Sequence, residues 1–346
     1  MAQMKVLVTG GAGFLAAHLV RALIADGRSV VVADKQPHKI ASPLQTLGDS
    51  DAVDYVQADL SQRSVAARLG EFGTVFHLAG QPIGWLSQLA GHSTMMSNVG
   101  TTEAMLELVR QRQAEQLIFV SSACAFGAPG AEDCPLFETS PMQHGNHPYA
   151  ESKQQAEALV QQCAVKRSIA RFVNLFGAGD WHKSRLVPRI AKQLNFGQPL
   201  SLLRSNGRSV LDFMHVSDAV SALLALETFT TEMSKPSKPA PVFHFGYGSP
   251  VSVLDLVQEM SRLFDGKQRP ISIPEVVVEQ EVHKYFNFSR AQRELAWMPR
   301  SSRAVALAQT IGWYGRYGRT LYDIDHASQM ASAERRGIVE PQTRVA

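Results

Sequence analysis

Cysteine is scarce in this chain, with three in 346 residues, Cys124, Cys134 and Cys163. They share no metal-ligand spacing, so neither a disulfide framework nor a zinc cluster organises the fold, and no metal is expected. An odd, sparse count suits a reducing compartment, which makes a cytoplasmic protein the expectation. Long hydrophobic runs are missing as well. The opening "MAQMKVLVTGGAGFL" is apolar for only a few residues before its glycines, too short for a signal-peptide core, and no stretch approaches membrane-spanning length. Charge of one sign never accumulates: 34 basic side chains face 31 acidic ones, for a net +3. Without a basic arm, nucleic acid and anionic lipid are not expected partners. What remains is 45% hydrophobic and 19% charged, ordinary for a globular chain whose partner is a small molecule.

The first half alternates short β-branched runs, at 5–9, 29–34, 74–80, 116–122 and 168–174, with amphipathic stretches near 14–26, 95–112 and 148–165. Parallel strands need helical crossovers, so this alternation predicts an α/β fold of Rossmann type, a doubly wound parallel sheet covered on both faces. After about residue 175 the pattern loosens into helices near 186–195, 217–229, 252–264 and 303–317. The expected organisation is a nucleotide-binding domain over 1–175, a smaller substrate lobe over 176–330 interleaved with it, and a polar tail over 331–346. "TTEMSKPSKPAP" (230–241) reads as an exposed insertion, because "VFHFGYGS" after it resumes a strand.

"VLVTGGAGFLAAHLV" (6–20) strings together a strand, the small-residue series Gly10, Gly13 and Ala16, and a helix. Small residues let backbone approach a pyrophosphate, and the helix N-terminus offers it unpaired amides. A glycine trio alone is also what any tight strand-to-helix turn uses. Asp34 closes the next strand, 21 residues past Gly13. An acid there accepts from both ribose hydroxyls of NAD and repels the 2′-phosphate of NADP, a preference that Lys35 partly offsets. Asp59, in "QADLS" (57–61), is placed either to meet adenine or to cap a loop.

These residues resemble the extended short-chain dehydrogenases/reductases, the NAD-dependent epimerase/dehydratase family that acts mainly on nucleotide sugars. "TGGAGFLA", "FHLAGQP", "SNVGTTEAMLE", "VSSACAFG", "HPYAESKQQAE", "RFVNLFGAGD" and "LDFMHVSDAVSALL" stand in that family's order, over about residues 4–316. "AGDWHKSRLVP" (178–188) is similar to the CDP-glucose 4,6-dehydratase branch. The resemblance implies Tyr149 as acid/base, Lys153 one turn later holding the nicotinamide ribose and lowering the phenol's pKa, and Ser122 hydrogen-bonded to the substrate oxygen. An ordinary tyrosine titrates near 10, so a base at neutrality needs such a neighbour. It implies that NAD is bound by Gly10, Gly13, Phe14, Leu15, Asp34, Asp59, Leu60, Leu78, Ala79, Asn98 and Lys153. Substrate is expected at Gln81, Ser122, Ala123, Cys124, Tyr149, Asn174, Arg185, Leu186 and Arg208. A homodimer is implied through the helices near 95–112 and 148–165. His77, inside an apolar strand, and His215 read as structural, and Trp181 as packing at the pocket rim.

Two departures from that family matter. Leu211 stands where many members carry the arginine of "RDF", and "VEQEVH" (278–283) lacks a later arginine that also holds the diphosphate; Lys183, Arg185, Arg204 and Arg208 are the candidate replacements. Sugar 4,6-dehydratases have an acid followed by an acid or lysine after the serine, where this chain has Ala123 and Cys124. The expected activity is therefore an NAD-dependent nucleotide-sugar epimerase working through a transient keto sugar. A dehydratase, a keto-sugar reductase and a decarboxylase are the enzymatic alternatives, and an NAD-sensing regulator the non-enzymatic one.

Overall fold

Short runs, apolar in all but one edge strand, become the strands of one parallel sheet. They are β1 (Val6–Thr9), β2 (Val30–Asp34), β3 (Asp54–Gln57), β4 (Phe72–His77), β5 (Ala114–Ser122), β6 (Lys166–Phe172) and β7 (Val242–Phe245). Their order across the sheet is β7-β6-β5-β4-β1-β2-β3, with every neighbouring pair parallel. This computed structural model describes residues 4–36, 53–62, 69–81, 91–111, 113–143, 147–180, 182, 184–202, 207–274 and 281–318. The polar tail from 331 therefore lies outside the described residues.

Because strand side chains alternate, Val6 and Val8 face one helical layer while Leu7 faces the other. On the first face α1 (Phe14–Ala25) and α5 (Val216–Glu232) meet through Leu19, Leu23, Ala219, Leu223 and Leu226. On the second, α2 (residues 91–110) and α3 (Pro148–Gln162) bring Met105, Leu108, Ala156 and Val160 against Val75, Leu117 and Ile169. Helix α2 has three consecutive parts, Gly91–Met95, a π-helical turn over Met96–Gly100, and Thr101–Arg110. Each fully buried aliphatic side chain contributes about 1.5–3 kcal/mol, and these two layers fix the sheet between them.

A third core joins α4 (Leu186–Asn195), α6 (Val253–Asp265) and the helical residues 303–318 through Val187, Ile190, Leu256, Met260, Leu307 and Tyr314. Short pairs border it: Leu200–Ser201 with Ile271–Ser272, and Val210–Leu211 with Val251–Ser252. Beyond 176 the described chain passes repeatedly from one core to another, since α5 and β7 return to the large sheet while α4 and α6 stay with the third core. Strand β3 and the helix α7 (Ser289–Leu295) were not expected from sequence. "DYVQ" is a polar edge strand with an exposed-to-half-buried pattern, so no apolar alternation announces it.

Chain order reverses between β1 and β4: β1 continues through α1 to β2 on one side, while β4 lies on the other. Loops leaving the C-terminal ends of these two strands diverge, and the crevice between them is where such sheets take ligands.

Candidate active site

At the end of β1, Gly10 has φ +70°, and a Cβ there would lie 2.8 Å from the backbone N and Cα of Ala79, which follows β4. Backbone thus passes backbone with no room for a side chain. At Gly13 a Cβ would meet Gly10 O at 2.9 Å, an atom that accepts from Gly13 N. Helix α1 starts directly after with Phe14 and Leu15, whose amides open the first turn, where helix N–H groups lack partners within the helix. Asp34 Oδ2 accepts from Ala12 N at 3.0 Å and Oδ1 from Gln36 N at 2.9 Å, so the acid is aimed at the loop. Each carboxylate oxygen keeps a lone pair for a ribose hydroxyl. Burial raises the Asp34 pKa despite those amides. Asp59 is exposed and accepts from Ser61 N and Oγ, so it caps its loop, and Leu60 is buried in the second core. A side-chain-free cradle, free amides and an acid at the next strand end fit a dinucleotide.

Helix α3 carries Tyr149 and Lys153 on one face, i and i+4, both buried. Ser122, ending β5, is near enough to the Tyr149 phenol to lower its pKa. Its Oγ also accepts from Cys124 N at 3.1 Å, which caps the short helix Ala123–Phe126 and fixes the rotamer. Burial pushes the Tyr149 hydroxyl up, the Cys124 thiol adds to that, and Arg185 opposes it. Lys153 Nζ donates to Val120 O at 3.0 Å; burial lowers its pKa to about 8, while Glu157 holds it up. Glu157 in turn accepts from Ser121 Oγ and forms a buried pair with Arg171 at 2.7 Å.

Asn98 lies in the π turn of α2. Its Oδ1 accepts from Gln81 N at 2.5 Å and its Nδ2 donates to Ser152 Oγ at 2.7 Å, joining α2 to the β4 loop and to α3. A Cβ at Gly80 would come 2.5 Å from Asn98 Oδ1 and 3.9 Å from Lys153 Nζ, so the three elements converge beside the lysine. His77 connects the same parts. Thr9 Oγ1 accepts from Leu78 N and Ala79 N, so its own proton goes to His77 Nδ1; Nε2 then donates to Thr102 Oγ1, which donates to Asn98 O. The ring is a satisfied core histidine, its pKa pushed down to about 3 by burial and by the nearby Lys153 charge. His215 caps α5 by accepting from Ser217 N.

On the substrate side, Asn174 is exposed and donates from Nδ2 to Asp212 O at 3.2 Å. Ala123 is buried and Cys124 half-buried next to Ser122. Arg185, the N-cap residue of α4, pairs with the fully buried Asp180 at 3.1 Å, and Leu186 packs on the third core. Arg208 lies apart: its side chain is 89% exposed, 4.0 Å from Glu281. Lys183, Arg204 and Trp181 lie outside the described residues. Leu211 also packs on the third core. Sequence reasoning missed Arg189, one turn beyond Arg185, whose Nε and Nη1 are buried without a hydrogen-bond partner. Among the described residues no three His, Cys, Asp or Glu side chains gather as a metal site, and no helix is long and apolar enough to cross a membrane.

A family model described as "NAD dependent epimerase/dehydratase family" matches residues 6–236, which is 231 of 346. The dTDP-D-glucose 4,6-dehydratase of Bos taurus is 26% identical over 334 residues, covering 90% of this chain and 88% of that protein. The UDP-glucose 4-epimerase of Haemophilus influenzae is 27% identical over 350 residues, covering 90% and 97%. A solved UDP-glucose-4-epimerase from Stenotrophomonas maltophila, with bound NAD and formylated UDP-arabinopyranose, superposes with a TM-score of 0.79 at 26% identity, covering 93% and 99%.

Proposed function

Since the chain belongs to the NAD-dependent epimerase/dehydratase family and is an enzyme that uses NAD, we propose that it epimerises a nucleotide sugar through a transient keto sugar. The relatives include both epimerases and dehydratases. One observation favours epimerisation: beside Ser122 and Tyr149 the chain has buried Ala123 and half-buried Cys124, with no carboxylate pair to carry protons.

NAD is held by the Gly10 to Gly13 loop, Asp34 and Lys153, and when bound it supplies the hydride acceptor and donor. Tyr149 takes the proton of the sugar hydroxyl being oxidised and later returns it. Ser122 hydrogen-bonds the same oxygen and keeps it in line with the phenol. Lys153 holds the nicotinamide ribose, while Arg185 and Ser122 offset the rise in Tyr149 pKa that burial causes. The keto sugar turns over and receives hydrogen on its opposite face, so the net change is an inversion with no loss of atoms. We assign NAD binding to the large sheet with α1, α2, α3 and α5, and substrate binding to the lobe of α4 and α6. The working form is taken as a cytoplasmic homodimer built on α2 and α3; light scattering should return about twice the chain's own mass.

Running the reaction in D2O on UDP-glucose, CDP-glucose and dTDP-glucose tests the reading. The expected product is an isomer of unchanged mass without carbon-bound deuterium. A product lighter by one water, or deuterated at C5 or C6, makes the chain a dehydratase instead.

A further inference from the structure

We propose that Arg189 is the cation that receives the substrate's diphosphate, moved onto α4 from the strand position that Leu211 now fills. This rests on the nucleotide-sugar reading above. The observation behind it is a guanidinium that no acid among the described residues pairs with. Arg189 Nε and Nη1 are buried with no hydrogen-bond partner, and burial is the sole influence shifting its pKa. A guanidinium does not shed its proton in a protein, so it cannot lower this cost by becoming neutral; it needs an anion.

The fold satisfies its other buried arginines. Arg167 donates to the carbonyls of Val160, Val165 and Gln161; Arg171 pairs with Glu157 at 2.7 Å. Arg28 and Arg303 share the unpartnered Nε of Arg189, yet their terminal nitrogens reach Glu227 at 2.6 Å and Glu259 at 3.3 Å. Among the described arginines with a buried unpartnered Nε, Arg189 alone has no acid.

Its position suits an anion arriving at the reacting end of the site. Arg189 N donates to Arg185 O, so the two arginines sit one turn apart on one face of α4. Helix side chains lean toward the N-terminus, which directs the Arg189 stem toward the first turn. There the amides of Leu186 and Val187 and the helix dipole favour negative charge. Arg185, at the start of this turn, acts electrostatically on Tyr149, but Asp180 already balances its charge. Leu211 gives no cation, and Arg208 is turned to solvent.

The test compares wild type with Arg189→Met, which keeps the stem and removes the charge. Both are loaded with NAD and titrated calorimetrically with UDP, UDP-glucuronate, CDP, dTDP and inorganic pyrophosphate. The expected result is a diphosphate affinity about 10- to 100-fold weaker in the variant, with NAD content unchanged. The melting temperature without ligand should stay equal or rise, since an unbalanced buried charge has gone. Equal diphosphate affinity in the two proteins overturns the proposal, as does a loss confined to UDP-glucuronate with UDP unaffected, which would assign the cation to a sugar carboxylate. If no nucleoside diphosphate binds wild type, the nucleotide-sugar reading fails by itself. Pyrophosphate then decides for Arg189: weaker binding in the variant sustains it, and no difference ends it.

Discussion

At Tyr149 two sets of influences oppose each other. Burial and the Cys124 thiol push the phenol up, while the Arg185 charge and Ser122 bring it down. Tyr149→Phe removes only the hydroxyl, so fold and bound NAD should persist while turnover falls by about 10² to 10⁴; near-normal turnover would end the assignment. Lys153→Ala should lose NAD retention as well as rate. Because burial sets the lysine near 8, wild-type NAD retention should also decline as pH climbs past about 8 and the ammonium loses its proton. The residues of this constellation were legible, since their spacing is local and their motif is shared. Arg189 was not, because an arginine in a helical stretch reads as solvated, and whether an acid meets it depends on neighbours distant in sequence.

Helix α2 shows what an element contributes beyond its residues. A π turn shifts hydrogen bonding by one residue and leaves carbonyls to be satisfied. Here Thr101 Oγ1 donates to Ser97 O at 2.6 Å and Thr102 Oγ1 to Asn98 O at 2.7 Å. The wider turn leaves Asn98 between the β4 loop and α3, where it serves Gln81 N and Ser152. Asn98→Ala strands both groups, so stability should fall by about 1–3 kcal/mol and NAD should be retained less well. Urea unfolding and the NAD content of the purified variant check this, and an unchanged pair of values would make the amide incidental. Apolar periodicity predicts a helix over 95–112, but it carries no signal for an inserted residue within one turn. Strands β1, β2, β4, β5 and β6 were legible from their apolar runs. The edge strand β3 was hidden because its environment is half solvent.

Across the whole molecule, His77 and His244 are both buried and neutral, with burial pushing each down to about 3. The unfolded chain takes protons on these rings below about 6.5 while the folded chain refuses them. Their contribution is thus complete above 6.5 and is lost as pH falls, by about 1.4 kcal/mol per pH unit for each ring. Urea midpoints should drop between pH 6.5 and 5, where ordinary carboxylates stay ionised; a flat profile there would refute the effect. The return of β7 to the large sheet has a consequence during synthesis. Val242, the start of β7, comes 70 positions after Phe172, the end of β6. At about 5–20 residues per second, a ribosome takes roughly 4 to 14 s to deliver the missing strand. Throughout that interval the nascent sheet carries β6 as an open edge, and until Glu232 is added it also lacks some or all of α5, so the half-made enzyme presents unpaired amides and apolar surface to its surroundings. Polypeptide stalled between those two points is the form most in need of a chaperone, although the finished protein shows no trace of that exposure.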